Sequence, residues 1–160
     1  MEIKIYLDTS IINFLFADDA PEKKDITIEY FEKYIKTNYY QHLVSPYVIE
    51  EINNTGDENK RKKLIEVIEK YEIEVWPLEK EEEIRKLASA YISAKIVPDK
   101  KIFDALHVAF CTVNKIDVLL SWNFKHLANL NKEKAFTSKN IDLGYWFTSR
   151  LDNPMEMFNE

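Results

Sequence analysis

Apolar positions along the chain follow two alternating rhythms. Short apolar runs at 3–7, 42–44, 73–76 and 118–120 have the length of buried strands, and a further run near 145–148 predicts a last one. Between them, apolar residues recur at three- and four-residue spacing, as in helices with one buried face. This spacing predicts a short helix over 11–16, capped by Thr9 or Ser10. A longer helix over 21–35 opens on Pro21 and carries Ile28, Phe31 and Ile35. Ser45 and Pro46 supply an N-cap and a first-turn proline for a helix over 47–53. Residues 57–71 put Leu64, Ile65 and Ile68 on one side. Residues 79–93 begin with Glu79, Glu81 and Glu82, acids that suit a helix N-terminus. After Pro98, residues 102–116 form a strongly apolar helix striped by Ala105, Leu106, Ala109 and Val113, and a short helix is expected over 125–130.

Strands alternating with helices imply an α/β fold: a three-layer α/β/α sandwich around a mostly parallel sheet of about five strands, in one domain over 1–160. Ligands of such folds bind beyond the carboxyl ends of the strands. Composition narrows the chemistry. Two glycines in the whole chain exclude a Gly-rich phosphate loop, and the single Cys111 excludes an internal disulfide. No Cys/His spacing suggests zinc, and no serine sits in a Gly-x-Ser-x-Gly turn. The N-terminal residues show no signal peptide and no membrane span, so a cytoplasmic protein is expected. A net charge of −6 argues against a protein that coats nucleic acid. The charge is uneven, however: residues 1–84 carry 11 Lys/Arg against 20 Asp/Glu, whereas residues 85–150 carry 11 against 5. The second half can therefore face a polyanion, or simply reflect ordinary surface variation.

Three acids fall at the edge where a ligand should bind. Asp8 ends the first strand, where it can serve a site or a turn. Glu51 lies one turn into the helix after the second strand; periodicity alone does not separate it from a surface glutamate. Asp104 interrupts an otherwise apolar helix near its start, as a site residue or a first-turn acid. His107 shares the face of Asp104, as a ligand or as a half-buried, hydrogen-bonded histidine.

Taken in order, Tyr-Leu-Asp-Thr-Ser at 6–10, Ser45 with Val-Ile-Glu-Glu-Ile at 48–52, and Asp-Ala-Leu-His-Val-Ala at 104–109 resemble the three acidic motifs of PIN domains. Leu-Leu-Ser-Trp-Asn-Phe-Lys-His-Leu at 119–127 resembles the fourth segment, and the order holds across nearly the whole chain. The chain is most similar in kind to the toxin-type PIN ribonucleases of toxin–antitoxin pairs. The resemblance implies that Asp8, Glu51 and Asp104 are catalytic and hold Mg²⁺ or Mn²⁺, hard cations that suit oxygen ligands. Glu51 is aligned rather than Glu50 because Ile52 follows it directly. Asn123 stands where many members carry an acid, and is expected as a supporting, uncharged ligand; Thr9 or Ser10 would support the ligands by hydrogen bonds. The implied substrate is RNA, with Lys100, Lys101 and Lys125 on its phosphates and Trp122 stacked on a base, although surface lysines and a core-closing Trp122 fit the same sequence. An antitoxin partner and a homodimer are implied as well. The missing acid at Asn123 leaves a catalytically weak module that binds RNA or protein as the alternative. A phosphoacceptor signalling domain fits less well, because Trp-Pro-Leu at 76–78 follows the third strand where an acceptor Asp would be needed.

Overall fold

A computed structural model describes residues 2–158. Five strands, β1 (Lys4–Leu7), β2 (Gln41–Val44), β3 (Glu74–Val75), β4 (Val118–Leu120) and β5 (Arg150–Asp152), form one sheet in the order β3-β2-β1-β4-β5. Every pairing is parallel. From β1 the chain winds outward through β2 to β3, then returns past β1 to β4 and β5. Right-handed crossovers make the two halves wind in opposite directions, so their helices cover opposite faces. The switch point lies between β1 and β4, where the register pairs Tyr6 with Leu119 and Leu7 with Leu120. A crevice at the carboxyl ends of these two strands follows from the topology.

The connections are helices α1 (Thr9–Asn13), α2 (Pro21–Tyr30), α3 (Pro46–Asn53), α4 (Glu58–Lys70), α5 (Glu81–Ser93), α6 (Ile102–Val113), α7 (Leu130–Asp142) and α8 (Pro154–Met157). Ser45 caps α3 by accepting from the Tyr47 N–H with Pro46 in the first turn, and Asp57 caps α4. Helix α2 runs on through a π-helical turn, Phe31–Ile35, whose Phe31, Tyr34 and Ile35 are buried. Ile28 is exposed, and Thr27 and Tyr30 take the inward face instead. Helix α6 is the spine of the core, buried continuously from Asp104 to Val113 and packed on α5 and β4. No helix among the described residues is long and apolar enough to cross a membrane.

Three elements differ from the sequence reading. The cap of α1 is Asp8, not Thr9 or Ser10; its carboxylate accepts from the Ser10 N–H at 3.0 Å. Of the region 125–130, residues 125–129 are turns and bends, and the helix begins only at Leu130, where the Asn129 side chain caps it through the Lys132 N–H. Helix α7 buries only Phe136 and Asn140, too sparse an apolar stripe to be read from spacing. The last strand is Arg150–Asp152, five residues beyond the start of the run at 145–148. Hydrogen bonds from Arg150 N to Asp117 O and from Ser121 N to Asp152 O set its place beside β4. Trp146, in the run expected as strand, is 85% exposed.

Candidate metal centre

Asp8 leaves β1 at the switch point. Its own N–H donates to Leu120 O at the end of β4, so the backbone pins it there. Its carboxylate caps α1 and also accepts from Ser10 Oγ at 2.5 Å and from Ser121 Oγ at 2.6 Å. Ser121 follows β4 directly, so the two strands meet through this carboxylate. Asp104 comes from the first turn of α6, and Glu51 from the second turn of α3. Asp8, Glu51 and Asp104 line one cavity of about 270 Å³ together with Thr9, Ser10, Lys100, Lys101 and Asn123. Glu50 is exposed, so the cavity takes the second of the two adjacent glutamates. A larger open groove, about 690 Å³, lies elsewhere, between the turn at Leu15 and Phe16 and helix α4; no comparable set of acids converges on it.

A buried chain of hydrogen bonds stands behind Glu51. His107 is buried, with Nε2 at 3.0 Å from Glu51 Oε1 and Nδ1 at 2.6 Å from the Tyr6 hydroxyl. Tyr6 in turn meets Ser45 Oγ at 2.7 Å, the same oxygen that caps α3. Thr9 Oγ1 donates to the same Glu51 oxygen, Oε1. Helix α3 thus carries Glu51 and is tied at its first residue to the residues that orient it. His107 is the hydrogen-bonded histidine of the sequence reading, though fully rather than half buried. Tyr6, Ser45 and Ser121 were not singled out for the site, because their partners lie up to 113 residues away in sequence.

The charges divide the three acids. Burial pushes the Asp8 carboxyl up to about 6, against the pull of His107, Ser10 and Ser121, and Asp104's charge adds a smaller push. Asp104 is likewise raised, first by burial, with His107 opposing and Glu51 adding repulsion. Burial also works to raise Glu51, but the His107 hydrogen bond and charge, the Thr9 hydroxyl and Lys101 outweigh it, leaving this carboxyl below its ordinary value. Removal from water, more than mutual repulsion, is what makes the pocket costly for charge.

Asn123 sits beside Asp104, but not as an oxygen donor to the pocket. Its amide oxygen accepts from the His126 N–H at 3.0 Å, which fixes the orientation, and its NH₂ donates to Asp104 Oδ2 at 3.2 Å. The expected amide-oxygen ligand is therefore a hydrogen-bond donor to one of the acids. Trp122 takes the core-closing reading of the sequence rather than the base-stacking one. It is 3% exposed, its indole N–H donates to Thr27 Oγ1 at 2.9 Å, and its ring packs on Phe14 and Phe124. A ring so enclosed has no face for a base; it closes the core edge beneath the crevice. Trp122→Phe should lower unfolding free energy by about 1–2 kcal/mol through the lost buried hydrogen bond. RNA affinity should stay unchanged. A several-fold loss of RNA binding in a filter assay, with unchanged urea stability, would restore Trp122 to the binding surface.

Lys100 and Lys101 line the cavity, whereas Lys125 is exposed outside it. Burial and then the charges of Lys125, Lys101, Lys132 and Lys100 hold His126 below its ordinary value, so these four lysines lie around His126. Lys132 had no signal in the sequence to set it apart from surface lysines. Asn13 and Phe103, also unremarked in the sequence, complete the lining. Asn13's amide oxygen is shut off from solvent and has no partner among the described residues.

Such a donor set suits a hard divalent cation. All the candidate ligand atoms are oxygens, and no sulfur or free imidazole faces the cavity. Among the described residues no group of three or more His, Cys, Asp or Glu side chains is placed to hold a metal ion, so Asp8, Glu51 and Asp104 share the cavity without converging on one point.

An all-parallel α/β sheet with an acidic cavity at its switch point defines the class. The structure is similar to a chain of a toxin–antitoxin complex from Klebsiella pneumoniae, at TM-score 0.55 and 15% identity, covering 80% of this chain and 93% of that one. It is also similar to a chain of VapBC2 from Rickettsia felis bound to a promoter DNA fragment, at TM-score 0.53 and 12% identity, covering 77% and 90%. No protein-family model matches the chain, and no curated protein matches it in sequence. The structural likeness is one of fold: the chain has the PIN-like fold that its motifs resemble.

Proposed function

We propose that the protein is a divalent-metal-dependent ribonuclease and the toxin of a toxin–antitoxin pair. The observation that carries this reading is the meeting of Asp8, Glu51 and Asp104, from three separate elements, around one cavity at the sheet's switch point with lysines on its rim. The two solved structures of like fold are toxin–antitoxin assemblies, which supports an antitoxin as partner. Asp8 and Asp104 would hold the cation directly, and Glu51 would hold it through water or orient the attacking water. When bound, Mg²⁺ or Mn²⁺ would supply a nucleophilic water near neutral pH and neutralise charge on the phosphate. Ser10 and Ser121 keep both oxygens of Asp8 fixed, whereas Thr9 and His107 both hold Oε1 of Glu51 and leave Oε2 to the cavity. Lys100 and Lys101 would receive the RNA phosphates at the mouth of the cavity, with Lys125 on the exposed surface as a further phosphate contact.

Incubating purified protein with a mixed RNA pool in Mn²⁺, in Mg²⁺ and in EDTA tests the reading, with Asp104→Asn alongside. Cutting is expected only with metal, and at least about 100-fold less in the variant, because even partners of metal ligands are worth 10–100-fold. The donor NH₂ of Asn123, in place of a fourth carboxylate, favours the second reading, a module that binds without cutting. Metal-independent RNA binding with no cleavage in either protein would decide for it.

A further inference from the structure

We propose that Tyr6 is a positioning residue of the metal site: its hydroxyl donates to His107 Nδ1, which keeps the hydrogen of the neutral ring on Nε2 and aims it at Glu51. The inference rests on the metal-site reading above and adds to it a residue that does not line the cavity. Tyr6 is fully buried on β1, two residues before Asp8. The strand that sets Asp8 in place would thus set Glu51 as well, through one hydroxyl and one imidazole.

The direction of these hydrogen bonds follows from both ends of the series. At the far end, Ser45 Oγ accepts from the Tyr47 N–H at 3.1 Å. Ser45 is fully buried, so its own hydrogen has no water to go to, and the Tyr6 oxygen at 2.7 Å is its acceptor among the described residues. Tyr6 therefore accepts from Ser45, and its single hydrogen is left for His107 Nδ1 at 2.6 Å. A neutral imidazole that accepts at Nδ1 carries its hydrogen on Nε2. The near end gives the same answer. An ionised carboxylate only accepts, so Nε2, at 3.0 Å from Glu51 Oε1, has to donate. The opposite tautomer fails at both ends. It would set the Nε2 lone pair against the Glu51 oxygen and strand the Ser45 hydrogen in the core, an arrangement that folded proteins avoid. Directed this way, His107 joins Thr9 on Oε1 and leaves Oε2 for the cavity. The Tyr6 ring also packs on Phe110 and His107, contacts that phenylalanine would keep.

The test uses the full chain without RNA and has two readouts. The first is ¹⁵N NMR of the His107 ring in metal-free wild type, which tells which nitrogen carries the hydrogen. A neutral ring protonated on Nε2, with Nδ1 accepting, is expected. A hydrogen on Nδ1, an even mixture of the two forms, or a ring charged at every pH where the fold is stable overturns the proposal. This readout needs no variant, so it decides even if Tyr6→Phe does not fold. The second is Mn²⁺ affinity by calorimetry. Tyr6→Phe should weaken Mn²⁺ binding about tenfold, the low end of what partners of metal ligands are worth. Phe110→Leu disturbs the packing on Tyr6 but not the hydrogen bonds, and should lower the melting temperature with Mn²⁺ affinity unchanged. Wild-type affinity in Tyr6→Phe, or an equal loss in Phe110→Leu, would reduce Tyr6 to a core residue. A wild type that binds Mn²⁺ but carries the hydrogen on Nδ1 leaves the metal site standing and removes Tyr6 alone. A wild type with the Nε2 form that binds no Mn²⁺ overturns the metal-site reading, and Tyr6's part in it.

Discussion

Asp8→Asn is expected to abolish metal-dependent RNA cleavage and, in the same protein, to stabilise the metal-free fold above pH 6. Both effects have one cause. Burial raises the Asp8 carboxyl from its ordinary 3.8 to about 6, so the empty native state holds this charge at a cost. Below about pH 3 the group is protonated whether the chain is folded or not, and it contributes almost no difference. As pH rises from there through 6, the unfolded chain ionises first, the native state binds more protons, and stability falls. Above 6 the full cost is present. At 1.36 kcal/mol per pKa unit it is at most about 3 kcal/mol.

Asparagine is nearly isosteric and caps helices as well as aspartate, so the bond from the Ser10 N–H survives. Weaker bonds to the Ser10 and Ser121 hydroxyls offset part of the gain, leaving about 1–3 kcal/mol at pH 8 and almost none at pH 4. Urea unfolding in EDTA at the two pH values measures this. Mn²⁺ should then raise the wild-type midpoint and leave that of the variant nearly unmoved, because a ligand stabilises only the state that binds it. A variant no more stable than wild type at pH 8 would mean that Asp8 is not held ionised against burial, and cleavage at the parent rate would remove it from the site.

The largest expected loss of stability is at His107. His107→Leu is close in volume but strands two polar groups: Tyr6 keeps only Ser45, and Glu51 keeps only Thr9. Breaking a buried charge-assisted hydrogen bond and leaving its partners behind costs about 2–4 kcal/mol, and the half-exposed side of Glu51 keeps it from the upper end of the range for fully buried pairs. Burial works to keep His107 neutral. The hydrogen bond and charge of Glu51, with Asp8 and Asp104 adding, outweigh burial and raise its pKa above the ordinary 6.5.

A raised histidine gives stability that is complete below its unfolded value and is lost as pH climbs through the folded one. Glu51, lowered from 4.5, gives stability that is complete above its unfolded value and is lost as pH falls through the folded one. The wild type should therefore exceed His107→Leu most between about pH 4.5 and 6.5, with the gap narrowing on the alkaline side. Chemical denaturation across pH 4 to 9 would show it. A gap independent of pH would mean that His107 stays neutral and acts through packing alone.

The alternation of strands and helices, the cap at Ser45, and the positions of Asp8, Glu51 and Asp104 at the carboxyl edge were legible in the chain itself. They follow from local rules: side-chain periodicity, proline and cap chemistry, and the order of elements that makes a parallel sheet. Such rules act over a few residues and survive in one dimension. The fate of the neighbouring residues did not. Trp122 as a core plug and Asn123 as a donor to Asp104 depend on Thr27, His126 and Asp104, groups brought together by the closure of the sheet between β1 and β4. The place of β5 was likewise set by Asp117 and Ser121, not by its own apolar run. Thr9 and His107, which meet at Glu51, join residues from α1, α3 and α6. The sequence could indicate that acids gather at this edge, because the fold class dictates the edge. Which atom each side chain turns toward it was decided only by long-range packing, since a polar group takes whichever partner the folded chain leaves within reach.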